Sequence, residues 1–170
     1  MNNNMSSTNK FRQINEGFDY VFKAETTDEQ ITRLKNWSKT NQALIPIVRI
    51  GVGAEKPDWG LPSGEPETMK WDEDIPDGMG ESTLQLEWRR IKQFFDPSSN
   101  MNKLTPWKRE QQWVNILEGI HHKEAKVLTA VKDIKLLEVY PQLEKLMKPL
   151  GITEYAKPKK ARAKRKTKKA

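Results

Sequence analysis

Apolar residues recur every three or four positions near the start of the chain, which is the spacing of one face of an α-helix. This pattern predicts a first helix within residues 11–22, where Phe11, Ile14 and Phe18 share a face. A second helix is predicted from Thr27 to about Ser38, because a threonine followed by acids is typical of a helix N-terminus.

The apolar run Ala43–Val52 is ambiguous. Its β-branched residues favour a strand, whereas Asn41 is a suitable helix cap and Pro46 is acceptable near a helix start. We favour a helix because no second strand is evident to pair with a strand here.

Residues 53–80 follow a different pattern, with four prolines, five glycines and eight acids against two lysines. The apolar residues here follow neither helical nor strand spacing, so we predict a long acidic loop. Loops of this length in small domains are functional or disordered. Trp59, Trp71 and Met69 indicate that part of this loop packs back onto the body. Trp59 and Trp71 are less constrained by helical spacing than the other tryptophans and could stack on bases, but the nearby carboxylates would repel nucleic-acid phosphates. We therefore predict that both rings contact a partner protein.

Helical periodicity returns after the loop. Ser82 is a predicted cap for a helix that ends at Asp96-Pro97, and Thr105-Pro106 is a strong start signal for the next helix. Four further helices are predicted, each with apolar positions on one side. These positions are Leu84, Trp88, Ile91 and Phe95 in the first; Trp107, Trp113, Val114 and Leu117 in the second, which ends at Gly119; Ala125, Leu128 and Val131 in the third, at His122–Lys132; and Leu143, Leu146 and Met147 in the fourth, after Pro141.

These elements predict a mainly α fold, a compact multi-helix domain with an irregular acidic insertion. We divide the chain into a disordered N-terminus at 1–8, a helical globular domain at 9–156 with its loop at 53–80, and a disordered basic tail at 157–170. We expect a modest hydrophobic core, since 35% of the 170 residues are hydrophobic.

The net charge of +7 is concentrated at the C-terminus. Nine cations and no acid occupy the tail, which leaves the rest of the chain with 21 basic and 23 acidic residues. The candidate phosphate-binding residues are Lys157, Lys159, Lys160, Arg162, Lys164, Arg165, Lys166, Lys168 and Lys169. The tail has no large apolar residue, so we expect it to be disordered when free.

Nucleic-acid phosphates are the obvious partner for such a tail, and DNA is favoured over RNA. Binding of this kind carries little sequence information. Alternatives remain open: a solubilising tail, or binding to ribosomal RNA, acidic proteins or anionic membrane. A membrane partner is not expected, since no amphipathic helix adjoins the tail. The acidic loop could also pair with the tail, although simple solvation of both is favoured.

No enzymatic site is evident. His121 and His122 are adjacent and would point about 100° apart on a helix, so an ordinary helix junction is expected there. The carboxylates at 72–74 lack the spacing of a calcium loop. There are no cysteines, no nucleotide-binding loop and no serine-nucleophile motif, so we predict no catalytic residue, metal or cofactor. The two helices within residues 106–132 also fit the outline of a helix–turn–helix.

Several stretches resemble a family of uncharacterised proteins encoded by T4-like tailed phages, including cyanophages. The matching residues are Asn9-Lys10-Phe11, Leu61-Pro62, Lys108-Arg109-Glu110, Leu117–His121 and Glu124–Leu128. The resemblance implies a viral origin and no known activity.

Together these observations predict a non-enzymatic, nucleic-acid-associated phage protein that acts through its tail. Its expected location is the host cytoplasm, with the virion as the alternative. The alternative function is a protein–protein adaptor or virion component that docks through the helical body and the loop around Trp59 and Trp71.

Overall fold

The computed structural model describes residues 13–69, 73–76 and 78–157, and this part of the chain is helical without strands. Phe11 and the N-terminal residues before it lie outside the described part. The helices are α1 (Ile14–Phe22), α2 (Thr27–Thr40), α3 (Leu44–Gly51), α4 (Leu84–Lys92), α5 (Pro106–Gly119), α6 (His122–Lys132), the single turn α7 (Leu136–Val139) and α8 (Glu144–Met147), with 3₁₀ turns at Asn100–Lys103 and Pro141–Leu143.

Helix α6 is the centre of the domain. It contacts α1, α3, α4, α5 and α7, and almost every residue after Lys123 is buried, with Lys126 the exposed exception. A helix buried on nearly all sides needs small or apolar residues around its whole circumference. Ala125, Leu128 and Val131 are all fully buried, as their spacing predicted.

The predicted mainly α fold is confirmed, and so is the helix over the ambiguous apolar run. Pro46 lies in the first turn of α3, where the missing backbone N–H has no partner to lose. The Asn41 side chain accepts a hydrogen bond from the Ala43 backbone N–H at 3.0 Å, just before the helix begins. In the described residues no helix is both long and apolar enough to span a bilayer.

Two predicted caps are wrong by one residue. Thr26, rather than Thr27, accepts a hydrogen bond from the Glu29 backbone N–H, and Thr83, rather than Ser82, accepts one from Leu86. In each case the capping residue has extended backbone angles, which is what places its hydroxyl over the first turn. The predicted cap at Thr105 is confirmed.

A buried carboxylate joins three helices. The Glu124 side chain in α6 is 1% exposed, and its two oxygens accept hydrogen bonds from Ile14 at 2.9 Å and Leu84 at 3.2 Å. These donors are the first backbone N–H groups of α1 and α4. Helix N-termini carry partial positive charge and unpaired N–H groups, so one carboxylate stabilises both ends at once.

Replacing Glu124 with alanine should therefore destabilise the domain strongly. It leaves two buried N–H groups without these acceptors, and charge-assisted hydrogen bonds of this kind contribute about 3 kcal/mol together. The melting temperature measured by circular dichroism should fall by about 6–12 °C. Glu118→Ala, at an exposed position of α5, is the matched control and should change it by less than about 2 °C. Equal losses for the two variants would contradict this role of Glu124.

Candidate nucleic-acid interface

Among the predicted phosphate-binding residues, Lys157 lies in the described part of the chain, and its side chain is exposed. The other eight, Lys159, Lys160, Arg162, Lys164, Arg165, Lys166, Lys168 and Lys169, lie outside the described residues. The structure therefore locates where the tail begins on the body.

The segment before the tail is fixed to the body. Ile152 is 5% exposed, and the Ala156 backbone N–H donates to the Val52 carbonyl at 2.7 Å. The Tyr155 hydroxyl donates to Glu144 in α8 at 3.4 Å. Desolvation and the Glu144 carboxylate raise the pKa of Tyr155 above its ordinary value. The tail thus starts beside Val52, where the acidic loop also starts.

Close approach at this point depends on Gly53. Its backbone has φ of +82°, and a Cβ there would lie 2.9 Å from Ile134 and 3.0 Å from Ala156. A side chain at this position would therefore push the segment before the tail away from the body.

Trp59, a predicted partner-binding residue, lies in the core, in agreement with the interpretation that part of the loop packs back onto the body. Its side chain is 7% exposed and packs edge-on against Phe95 and Trp113, with centroids 4.9 and 5.5 Å away. The surrounding acids suggested a solvent-exposed loop, but charge alone does not decide where an aromatic ring lies. Trp71, the second predicted partner-binding residue, lies outside the described residues.

Arg109 in α5 fixes the loop at Trp59. Its guanidinium donates to the Trp59 carbonyl at 2.7 and 3.1 Å, to the Phe94 carbonyl, and to Asn102 at 3.4 Å. One planar group with five N–H donors can satisfy carbonyls from several segments at once. Arg109 therefore joins the start of α5 to the loop and to the end of α4.

A second tie holds the loop further along. The buried Lys132 ammonium donates to the Pro62 carbonyl at 2.8 Å and to Asp133 at 2.6 Å. The Asp133 carboxylate in turn accepts the Gly64 backbone N–H at 2.9 Å. The loop is thus attached to the body from Val52 to Gly64 rather than projecting from it.

Some loop acids already have cationic partners on the body. Glu55 pairs with Arg49 at 2.8 Å, and Glu73 pairs with Lys126 at 3.4 Å. All four side chains are well exposed, so these pairs contribute little to stability. Whether the loop also pairs with the tail stays a hypothesis.

The two adjacent histidines form a helix junction, as predicted. His121 caps α6 by accepting the Lys123 backbone N–H at its Nδ1, and its Nε2 lies 2.9 Å from the Ile75 carbonyl. Burial lowers the pKa of His122, and His121 and Lys126 lower it further, so His122 is neutral at pH 7. Among the described residues, no group of three potential ligands surrounds a metal position.

The helix–turn–helix hypothesis does not fit this arrangement. Its second helix would be α6, which is buried by five neighbouring helices. A recognition helix must present an exposed face to the major groove. In this fold α6 cannot do so without breaking the core.

A basic segment on the body was missed by the sequence analysis. Residues 88–109 contain six cations and one carboxylate, with Glu87 and Glu110 at the borders, and Glu87 pairs with Arg90 at 2.8 Å. The Ser98 backbone N–H and hydroxyl lower the pKa of Asp96 by hydrogen bonding, which keeps it ionised. Outside this segment and the tail, 15 cations face 22 acids. The positive charge of the body is therefore concentrated between α4 and α5.

Trp107 lies in this basic segment and is exposed. Of the three tryptophans at helical spacings, Trp88 and Trp113 are in the core as expected, whereas Trp107 is 68% exposed in the first turn of α5. Trp107 follows the spacing of Val114 and Leu117, but in the described part of the chain its side chain is left exposed. The spacing of Trp107 therefore shows which helix face it is on, but it does not show how far along the helix that face is buried.

Comparison with known protein families identifies a match over residues 18–138, to a model described as a family of unknown function, DUF6433. The chain belongs to the DUF6433 family. The range that matches the DUF6433 model includes Trp107, Arg109 and Glu124 and excludes the basic tail. No curated protein and no solved structure matches the chain.

The contact between Gly53 and the segment before the tail can be tested by Gly53→Ala. Gly64→Ala is a matched control, because Gly64 also has φ of +82° but a Cβ there would meet no atom within 4 Å. Both variants carry the cost of a left-handed alanine, about 1–2 kcal/mol. Gly53→Ala should cost about 1–2 kcal/mol more in urea unfolding, because its Cβ also collides with Ile134 and Ala156. Equal costs would show that the close approach is unimportant.

Proposed function

We propose that this protein is a non-enzymatic nucleic-acid-associated protein whose C-terminal tail binds phosphates with little regard to sequence. The observation that supports the proposal most is the distribution of charge, since nine cations follow Ala156 without a single acid. Each cation that meets a phosphate releases condensed counterions, and this release drives association.

The attachment of residues 152–156 to the body adds to this proposal. Because Ala156 is held at Val52, the tail begins at a defined point on a folded domain, and Lys157 is exposed there. A tail fixed in this way would carry the whole body to whatever polyanion it binds. The body would then position or recruit other molecules at that polyanion.

The resemblance to proteins of T4-like tailed phages supports a viral setting for this role. In that setting the polyanion would be viral or host DNA, and the protein would act with the replication, transcription or packaging machinery. The adaptor alternative loses one of its two proposed docking rings, because Trp59 is buried.

Removing residues 157–170 should abolish most binding to random duplex DNA. If six tail cations contact phosphates, the slope of log affinity against log salt should become less steep by about 5, measured by fluorescence anisotropy over a salt series. A full-length variant with all nine tail cations replaced by glutamine should behave like the deletion, which separates charge from length. Two unrelated duplex sequences should bind equally well to the unmodified protein.

An unchanged salt slope in both variants would reject the role of the tail. A strong preference for one duplex sequence would reject non-specific phosphate binding as the mechanism.

A further inference from the structure

Trp107 differs from every other tryptophan that the structure describes. Trp37, Trp59, Trp88 and Trp113 are at most 7% exposed, whereas the Trp107 side chain is 68% exposed. Tryptophan is highly buried on average, and an exposed indole offers a large, rigid aromatic face to a ligand. In the described part of the chain this face, in the first turn of α5, is exposed.

The charges around this ring work against the stability of the helix. Lys103 and Lys108 flank Trp107, are exposed, and form no ion pair within the described residues. Cations at a helix N-terminus oppose the helix dipole, and the first turn of α5 carries no acid. These lysines therefore do not stabilise α5. Binding of an external anion would account for their positions.

Further cations lie close to the same surface. The Arg109 guanidinium donates to the Phe94 carbonyl, so the start of α5 lies beside the end of α4. Arg89 and Lys92 in the last turn of α4 are exposed, and chain geometry places them within about 25 Å of Trp107. An exposed aromatic face in a basic segment complements a ligand that has both flat rings and phosphates.

We propose that Trp107 stacks on a base of single-stranded nucleic acid while Lys103 and Lys108 hold the neighbouring phosphates. The proposal rests on the proposed function and extends it from the tail to the body. Bases in a duplex are already stacked on one another, so an aromatic face of this kind selects unpaired strands. Stacking also tolerates any base, in keeping with sequence-independent phosphate binding by the tail.

One strand could reach both the tail and Trp107. The body holds Ala156 at Val52 and holds Trp59 at Arg109, and the seven Cα–Cα steps from Val52 to Trp59 span at most about 25 Å. The thirteen residues after Lys157 have a maximum contour length of about 45 Å. The length of the tail therefore suffices for both surfaces to contact a single strand.

The test uses the full-length protein and a thymidine single strand of about 20 nucleotides. Trp107→Ala should weaken binding by about 5- to 150-fold, the range expected for loss of one base–aromatic stack, and Trp107→Phe should retain most of the affinity. Leu86→Ala removes an equally exposed apolar side chain from α4 and should have no effect. With an abasic strand of the same length, Trp107→Ala should bind as the unmodified protein does.

The phosphate-binding lysines have a separate readout. The double variant Lys103→Gln/Lys108→Gln should reduce the salt slope on the single strand by about 1.4, because each phosphate that is no longer neutralised lowers the slope by about 0.7. Lys35→Gln/Lys39→Gln changes the charge equally on the exposed side of α2 and should leave the slope unchanged. Equal slopes for the two double variants would overturn the assignment of Lys103 and Lys108.

The outcomes separate this inference from the proposed function. If the unmodified protein binds the thymidine strand and Trp107→Ala binds it equally well, the stacking inference is overturned while the tail proposal stands. If the loss is the same with the abasic strand, the ring does not stack on bases. If polyglutamate binds as tightly and with the same dependence on Trp107, the surface docks acidic protein instead. Absence of any salt-sensitive binding by the unmodified protein overturns both proposals.

Discussion

The fold depends on one buried carboxylate that joins segments far apart in the chain. Glu124 accepts hydrogen bonds from Ile14, 110 residues earlier, and from Leu84, 40 residues earlier. It therefore sets the positions of α1 and α4 against the central helix α6. The position of α4 in turn determines where its C-terminal end meets α5. The exposed surface around Trp107 is thus a consequence of contacts made at the opposite end of α4.

The helices could be predicted from sequence because their signals are local. Thr105-Pro106 and Gly119 mark both ends of α5, and the apolar spacing of α6 matches its buried side chains. The caps at Thr26 and Thr83 were misplaced because each has a hydroxyl-bearing neighbour, Thr27 or Ser82, whose N-cap propensity is equal or higher. Backbone angles decide between two such neighbours, and sequence spacing does not report them.

The candidate site was harder to predict, because it depends on contacts between distant residues. Trp59 lies among acids in sequence, yet the Arg109 guanidinium holds its carbonyl and the core covers its ring. Trp107 shows the reverse, since a position in phase with buried residues is exposed. For the tail, composition alone supports a prediction, because charge is the relevant property and no fold is needed. Composition was uninformative for Glu124, because nothing local marks a carboxylate as buried.

The division of charge within the body has a consequence for how the molecule meets its ligands. Residues 88–109 are basic, and the rest of the chain before the tail carries a net charge of −7. Such an arrangement gives the body an electric dipole, so an approaching polyanion would rotate the molecule before any contact forms. Under the proposed function, the first collisions would then involve the tail and the basic segment that contains Trp107. Steering of this kind raises the association rate, and it weakens as added salt shortens the range of the field.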